Sequence, residues 1–160
     1  MDNINEKASF DNEQFMKRLQ ASITKVVSAD KGKIGETIEP ESVFCDYAGK
    51  TATFRYQFHP WMLNCNDVMH GGSVALLMDS SMGWLSSSYP DKLQITPTVS
   101  IQITYLNPIT LSEHIMVEAR VNAIKSRLVY ASATLYEEHQ PDRPLAVALG
   151  EYYRMPLPSD

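Results

Sequence analysis

The apolar positions of this chain change period three times. From residue 10 to 27 they recur at helical spacing, with Phe15, Leu19, Ile23 and Val26 on one stripe and Lys17, Arg18 and Lys25 off it. The polar run Ser28-Ala29-Asp30-Lys31-Gly32-Lys33 ends that helix. Pro40 argues against a central strand between residues 36 and 46 and leaves Val43-Phe44-Cys45-Asp46 as a short one. Tyr47-Ala48-Gly49-Lys50 has hairpin-turn composition. Residues 51 to 58 then alternate, with Ala52, Phe54, Tyr56 and Phe58 on one face and Thr53, Arg55 and Gln57 on the other.

The second change comes at residue 61. Asn64-Cys65-Asn66-Asp67-Val68-Met69-His70-Gly71-Gly72 is loop chemistry, and it leads into a long apolar segment that predicts a helix from about residue 71 to 88. Val74, Leu77, Ser81 and Leu85 share one face of it. After residue 98 alternation returns. Val99, Ile101, Ile103 and Tyr105 form one apolar row, and Ile115, Val117, Ala119, Val121 and Ala123 another. Residues 128 to 136 read as a strand apolar on both faces, and 144 or 145 to 153 as a further one. The link 124 to 127 reads as a tight hairpin, and 138 to 143 as a looser one. The expectation is α+β: five or six antiparallel strands, mostly hairpin-joined, curved around one central helix, with one N-terminal helix added.

With 160 residues the chain can build one domain with a core, and its formal net charge of -5 is spread along its length. The absence of any basic block argues against nucleic acid as a partner. The acidic, polar start is unlike a signal peptide, and residues 1 to 9 read as a loosely attached tail. No uncharged apolar run reaches membrane-spanning length, so no membrane partner is expected. The two cysteines, Cys45 and Cys65, form no CxxC pair and read as reduced thiols of a cytoplasmic protein. His59 and His70 are separated and no HxxxH occurs, so no metal is expected.

The candidate chemistry lies in the loop and helix of residues 64 to 79. Gly71 and Gly72 leave the first helical amides unshielded, and these have no intrahelical acceptor. They can receive negative charge developing on an oxygen, or the glycines serve only a tight turn. His70 can act as acid, base or ligand, but at a helix start ordering the loop by hydrogen bonds suits it better than moving protons. Asn64 can donate to a carbonyl oxygen or cap the loop. Cys65 is a nucleophile candidate whose alternative is an inert thiol. Asp79 stands alone in an apolar helix, where burial is expected and a buried carboxylate needs partners. It lies eight residues beyond Gly71, roughly 12 Å along the axis. One carbonyl cannot touch both groups of one chain. Joint action therefore requires two subunits, which predicts a homo-oligomer with a site at its interface.

These residues carry a resemblance. Asn64, five residues, His70-Gly71-Gly72, then Asp79 nine residues after the histidine, is similar to the pattern of hotdog-fold acyl-CoA thioesterases of the phenylacetate-pathway and human thioesterase-superfamily type. Ser80-Ser81-Met82-Gly83 resembles the family's small-residue helix continuation, and the stretch ending Tyr105-Leu106-Asn107-Pro108 its first strand after the helix. The resemblance covers about residues 34 to 155. Residues 1 to 33 are then a tail and helix, and 156 to 160 a second tail.

The resemblance implies a hotdog fold, a dimer or dimer of dimers, and hydrolysis of an acyl-CoA. Asn64 and the Gly71 amide would polarise the thioester carbonyl, with His70 and Gly72 beside them. Asp79 of the other subunit would act as general base or nucleophile, and Thr98 would orient the water. Met78, Met82 and Gly83 would line the acyl group, while Lys125 and Arg127 would meet the CoA phosphates. CoA is then part of the substrate, and no separate cofactor is expected. Many members carry glycine where this chain has Asp67, which bears on substrate preference. The alternatives are an acyl-CoA hydratase or dehydratase of the same fold and a non-catalytic acyl-thioester-binding module.

Overall fold

The computed structural model describes residues 11–29, 31–90, 94–110 and 112–156. The tail expected over residues 1 to 9 lies outside them, as do residues 157–160 of the second tail. In chain order the elements are α1 (Asn12–Ala29), a short α2 (Ile34–Thr37), β1 (Glu41–Asp46), β2 (Thr51–Gln57), a 3-10 turn (Pro60–Met62) and α3 (Gly71–Ser88). Then come β3 (Thr98–Tyr105), β4 (His114–Lys125), β5 (Leu128–Glu137) and β6 (Ala146–Tyr153). The six strands make one antiparallel sheet ordered β1-β2-β4-β5-β6-β3. Among the described residues no helix is long and apolar enough to cross a membrane.

The helix α3 lies against this sheet with Val74, Leu77, Ser81 and Leu85 buried, which is the face its periodicity predicts. Beneath it, Tyr56 of β2 and Ser81 share a 2.6 Å hydrogen bond, and Ser81 Oγ donates to the Leu77 carbonyl at 2.8 Å. A small hydroxyl on the buried face thus lets the helix approach the sheet while every polar atom of the contact is paired. The tyrosine is fully buried, and desolvation pushes its phenol well above the ordinary tyrosine range.

At the start of the chain, α1 buries Phe15, Leu19 and Ile23 in the same core. Arg18 Nη1 donates to the carbonyls of Ser88 (3.1 Å) and Pro90 (2.9 Å), and Ser22 Oγ meets Ser87 Oγ at 3.2 Å. These bonds fix α1 along the C-terminal half of α3. The stripe fades at Val26, which is more exposed than the rest. In the hairpin after β1 the left-handed residue is Lys50 (φ 60°) and not Gly49, where a Cβ would meet only the end of the Asp46 side chain.

Two features of the sheet go beyond the sequence reading. The strand β3 pairs with β6 and not with β4, the next strand in the chain. β3 and β4 stand on opposite sides of the β5–β6 pair, and the Leu106 and Asn107 amides donate to the Leu145 carbonyl. That leaves β3 at an edge, and Val99 and Tyr105 are 55% and 54% exposed rather than part of an inward row. Alternation reports that a strand has two unlike faces, not which neighbour it gains. The other concerns β5, where Val129, Ala131, Ala133 and Leu135 are buried toward α3 while the opposite row is only half-buried, because none of the described residues packs over the outer face.

Candidate active site

The loop ahead of α3 is built around Asn64. Its Oδ1 accepts from the amides of Asn66 (2.8 Å) and Val68 (3.4 Å), its own amide donates to the Val68 carbonyl at 2.8 Å, and Leu63 bridges Met69. With Oδ1 turned back on the loop, the side-chain NH2 has no acceptor among the described residues. Asp67 sits in this loop at φ 55°, a left-handed conformation. Glycine adopts it freely and aspartate is among the few other residues that tolerate it. The departure at Asp67 is therefore met by the same backbone shape that a glycine would take.

His70 is the N-cap of α3. Its amide donates to the Met62 carbonyl (2.7 Å), and its Nδ1 accepts from the Gly72 amide at 2.9 Å. Accepting at Nδ1 places the ring proton on Nε2 in the neutral tautomer. The two glycines consequently differ. Gly72's N–H is taken by His70, whereas Gly71's N–H meets no acceptor among the described residues. The phenol of Tyr105 donates to the Gly71 carbonyl (3.0 Å), and its ring would stand 3.3 Å from a Cβ on Gly71. The end of β3 thus clamps the first residue of the helix. Cys65 is exposed in the loop as a free thiol.

Asp79 is half-buried in the single chain, not enclosed, because it opens on a cleft beside the edge strand. Its Oδ1 accepts from Thr98 Oγ1 and from Tyr152 Oη, each at 2.9 Å. Its Oδ2 meets no donor among the described residues. Pairing of Thr98 with Tyr152 across β3 and β6 brings both hydroxyls to one place. Tyr152 is fully buried, and desolvation, with the nearby Asp79 charge added, pushes its phenol far above the ordinary range, so it stays a donor. The cleft has a volume of about 520 Å3 and is lined by Asp79, Thr98, Tyr152 and Gly83 together with residues of α1 and α2.

The expected site residues thus fall into two groups at different ends of the fold. Asn64, His70, Gly71 and Gly72 gather at the start of α3, and Asp79, Thr98 and Gly83 two turns and more further on. Met78 and Met82 are fully buried in the core and do not line the cleft. Lys125 and Arg127 flank the β4–β5 turn at the Thr98 end of the sheet, where Arg127 Nη1 donates to Tyr153 Oη at 3.1 Å. Among the described residues no three His, Cys, Asp or Glu side chains converge as metal ligands would.

Sequence reasoning missed Tyr152, which looks like any aromatic of a core strand. It also missed the part of α1 in the cleft. Tyr105 entered as the end of an apolar row and as part of a motif, with no reason for its hydroxyl.

The thioesterase superfamily model matches residues 66–142. Among solved structures, the Escherichia coli PaaI protein from the phenylacetic acid degradation operon superposes with a TM-score of 0.73 at 15% identity, covering 88% of this chain and 96% of that one. A thioesterase from Pseudomonas aeruginosa gives 0.71 at 17% identity over 89% and 94% of the two chains. A Streptococcus mutans protein bound to acetyl CoA gives 0.65 at 16% identity over 75% and 92%. No curated protein matches the sequence. The chain therefore has the hotdog fold, and its segment 66–142, which holds most of the loop, α3 and the strands β3, β4 and β5, matches the thioesterase superfamily.

Proposed function

We propose that this protein hydrolyses acyl-CoA thioesters at a site shared by two subunits of a homo-oligomer. The observation that carries the reading is the pair of unlike, partly free groups on one helix. The Gly71 amide at the start of α3 has no acceptor among the described residues, and the Asp79 carboxylate two turns on is held through one oxygen by Thr98 and Tyr152. They are roughly 12 Å apart along the axis, so a single carbonyl meets both only when they come from different chains.

In this reading the thioester oxygen lies against the Gly71 amide and the Asn64 NH2. Water held by Asp79 of the partner subunit and by Thr98 of the partner subunit, which are bonded to each other, attacks the carbonyl carbon, and the free Oδ2 takes its proton. Negative charge on the tetrahedral oxygen is stabilised by the two donors, which are fixed before the reaction and need no reorganisation. The C–S bond then breaks, the sulfur takes up the proton, and the products are a carboxylic acid and CoA with a free thiol. His70 and Gly72 act by holding the loop that presents Gly71. Lys125 and Arg127 supply positive charge at the Thr98 end of the sheet for the CoA phosphates. CoA belongs to the substrate, and neither metal nor further cofactor is called for, since Asp79 supplies the base.

The test is thiol release from a panel of acyl-CoAs, run beside hydration of an enoyl-CoA. Thiol release without hydration is expected. Hydration without thiol release would favour the hydratase alternative, and neither would favour a binding module.

A further inference from the structure

The cleft beside Asp79 extends past the residues that the reaction needs. Its far wall is the last two turns of α1 and the start of α2, and it is lined chiefly by carbon. Val26, Ile34 and Ile95, all in its wall, are 37%, 60% and 40% exposed, so three large apolar side chains stand open around one cleft. Gly83 lies one turn beyond Asp79, inside α3. A glycine in a helix interior weakens the helix relative to alanine. The fold gives no steric reason for it, because a Cβ there would meet only the Tyr152 ring, at an ordinary 3.7 Å. The space that Gly83 leaves is in the cleft, next to the carboxylate.

We propose that this α1–α3 cleft is the acyl pocket, that it takes an apolar acyl group of roughly six carbons or more, and that Gly83 and Val26 set its width and depth. The proposal rests on the thioesterase reading of the same site. Two arms leave a thioester carbonyl. The CoA arm is long, polar and anionic, and the acyl arm is the one that an apolar wall matches. Size agrees: a cavity of roughly 150 Å3 suffices for benzene, and about 520 Å3 is far more than a two-carbon acyl group fills. Of its polar lining, Ser22 and Ser87 bond to each other at 3.2 Å, Thr96 donates to the Gly83 carbonyl at 3.1 Å and Gln94 accepts from Arg154 at 2.8 Å, so these groups are already paired; Lys25 is the cationic residue of the lining. The helix α1, which lies outside the matched segment 66–142, thereby becomes the specificity element.

The test uses S-alkyl-CoA thioethers from ethyl to octyl, which carry both arms but no bond to cleave, with calorimetric binding to the full chain. For the unaltered protein, affinity is expected to rise by about fourfold per methylene up to the hexyl chain, the usual gain for burying each CH2. Gly83→Ala and Val26→Trp should each cut the hexyl-to-ethyl affinity ratio by about fivefold or more, while Lys17→Ala, on the exposed face of α1, leaves it unchanged. Thermal unfolding of Gly83→Ala should not fall below that of the parent, which keeps that variant informative if Val26→Trp folds poorly. An unchanged ratio in Gly83→Ala would overturn the proposal, as would equal losses for every chain length and for free CoA, which would place the CoA arm in the cleft. Chain-length-dependent binding without hydrolysis of the matching thioesters would sink the reaction and leave the pocket standing. Hydrolysis whose chain-length preference ignores both variants would do the reverse.

Discussion

At the residue scale the chemistry turns on Asp79 and its two hydroxyl partners. Asp79→Asn keeps the size of the side chain and removes the basic oxygen. Turnover should fall by a factor of roughly 100 to 10,000, the usual loss for a positioned proton-transfer group. Binding of a non-hydrolysable thioester analogue should change far less, since Asn64 and Gly71 are intact. If Asp79 serves only the fold, the pattern reverses: activity per folded molecule persists and thermal stability drops. Tyr152 adds a pH dependence. Its phenol and that of Tyr56 are both held well above the ordinary tyrosine value of 10.0, because burial disfavours their anions. Above that value an unfolded chain releases these protons and the folded chain does not. The unfolded state then binds fewer protons, so stability is full below that value and declines as pH rises beyond it. Melting temperature measured from neutral to strongly alkaline pH should show this decline, and Tyr152→Phe should flatten it. The same variant removes a hydrogen bond to a charged group, worth about 1.5–3 kcal/mol when buried. A melting temperature unchanged at neutral pH would count against that bond.

At the scale of elements, the loop before α3 and the helix itself were legible in the sequence, and their surroundings were not. Gly71, Gly72 and Asp79 announce themselves through local rules: glycines at a helix start, a carboxylate in an apolar run. So does α3, whose bounds at Gly71–Ser88 agree with the sequence reading. Tyr152 could not be found this way, because its partner is 73 positions away and only the β3–β6 register brings them together. The edge position of β3 was equally hidden, for its alternation is that of any half-buried strand. The role of α1 was obscured by its own regularity: an amphipathic stripe says that a helix packs, not that one end of it walls a cleft. Asp67 is a case where the structure explains a departure that the sequence could only register. Its left-handed φ predicts that Asp67→Gly keeps stability and turnover close to the parent. Asp67→Ala should lose about 1 kcal/mol, because alanine pays the full Cβ clash in that region. Chemical denaturation of the two variants side by side would show it, and equal stabilities would remove this account of the loop.

At the scale of the whole molecule, the single chain presents half of each proposed site. The donors at the start of α3 and the carboxylate further along face different places, and β3 runs along an edge with Val99 and Tyr105 open to solvent. An unpaired edge with apolar side chains is a surface suited to another copy. Sedimentation should give a dimer or a multiple of one, and monomer alone at working concentration would count against the shared site.

The most direct measurement mixes two inactive subunits. Asp79→Asn and Asn64→Ala are co-expressed with different tags, and the heterodimers form alongside the two homodimers. In each heterodimer one site receives a sound Asn64 from one chain and a sound Asp79 from the other, while the second site receives both defects. Random pairing should therefore restore about a quarter of the parental activity in an isologous dimer, far above either variant alone. Activity that stays at the level of the two separate variants, in a sample where heterodimers are demonstrably present, would contradict a site built from two chains.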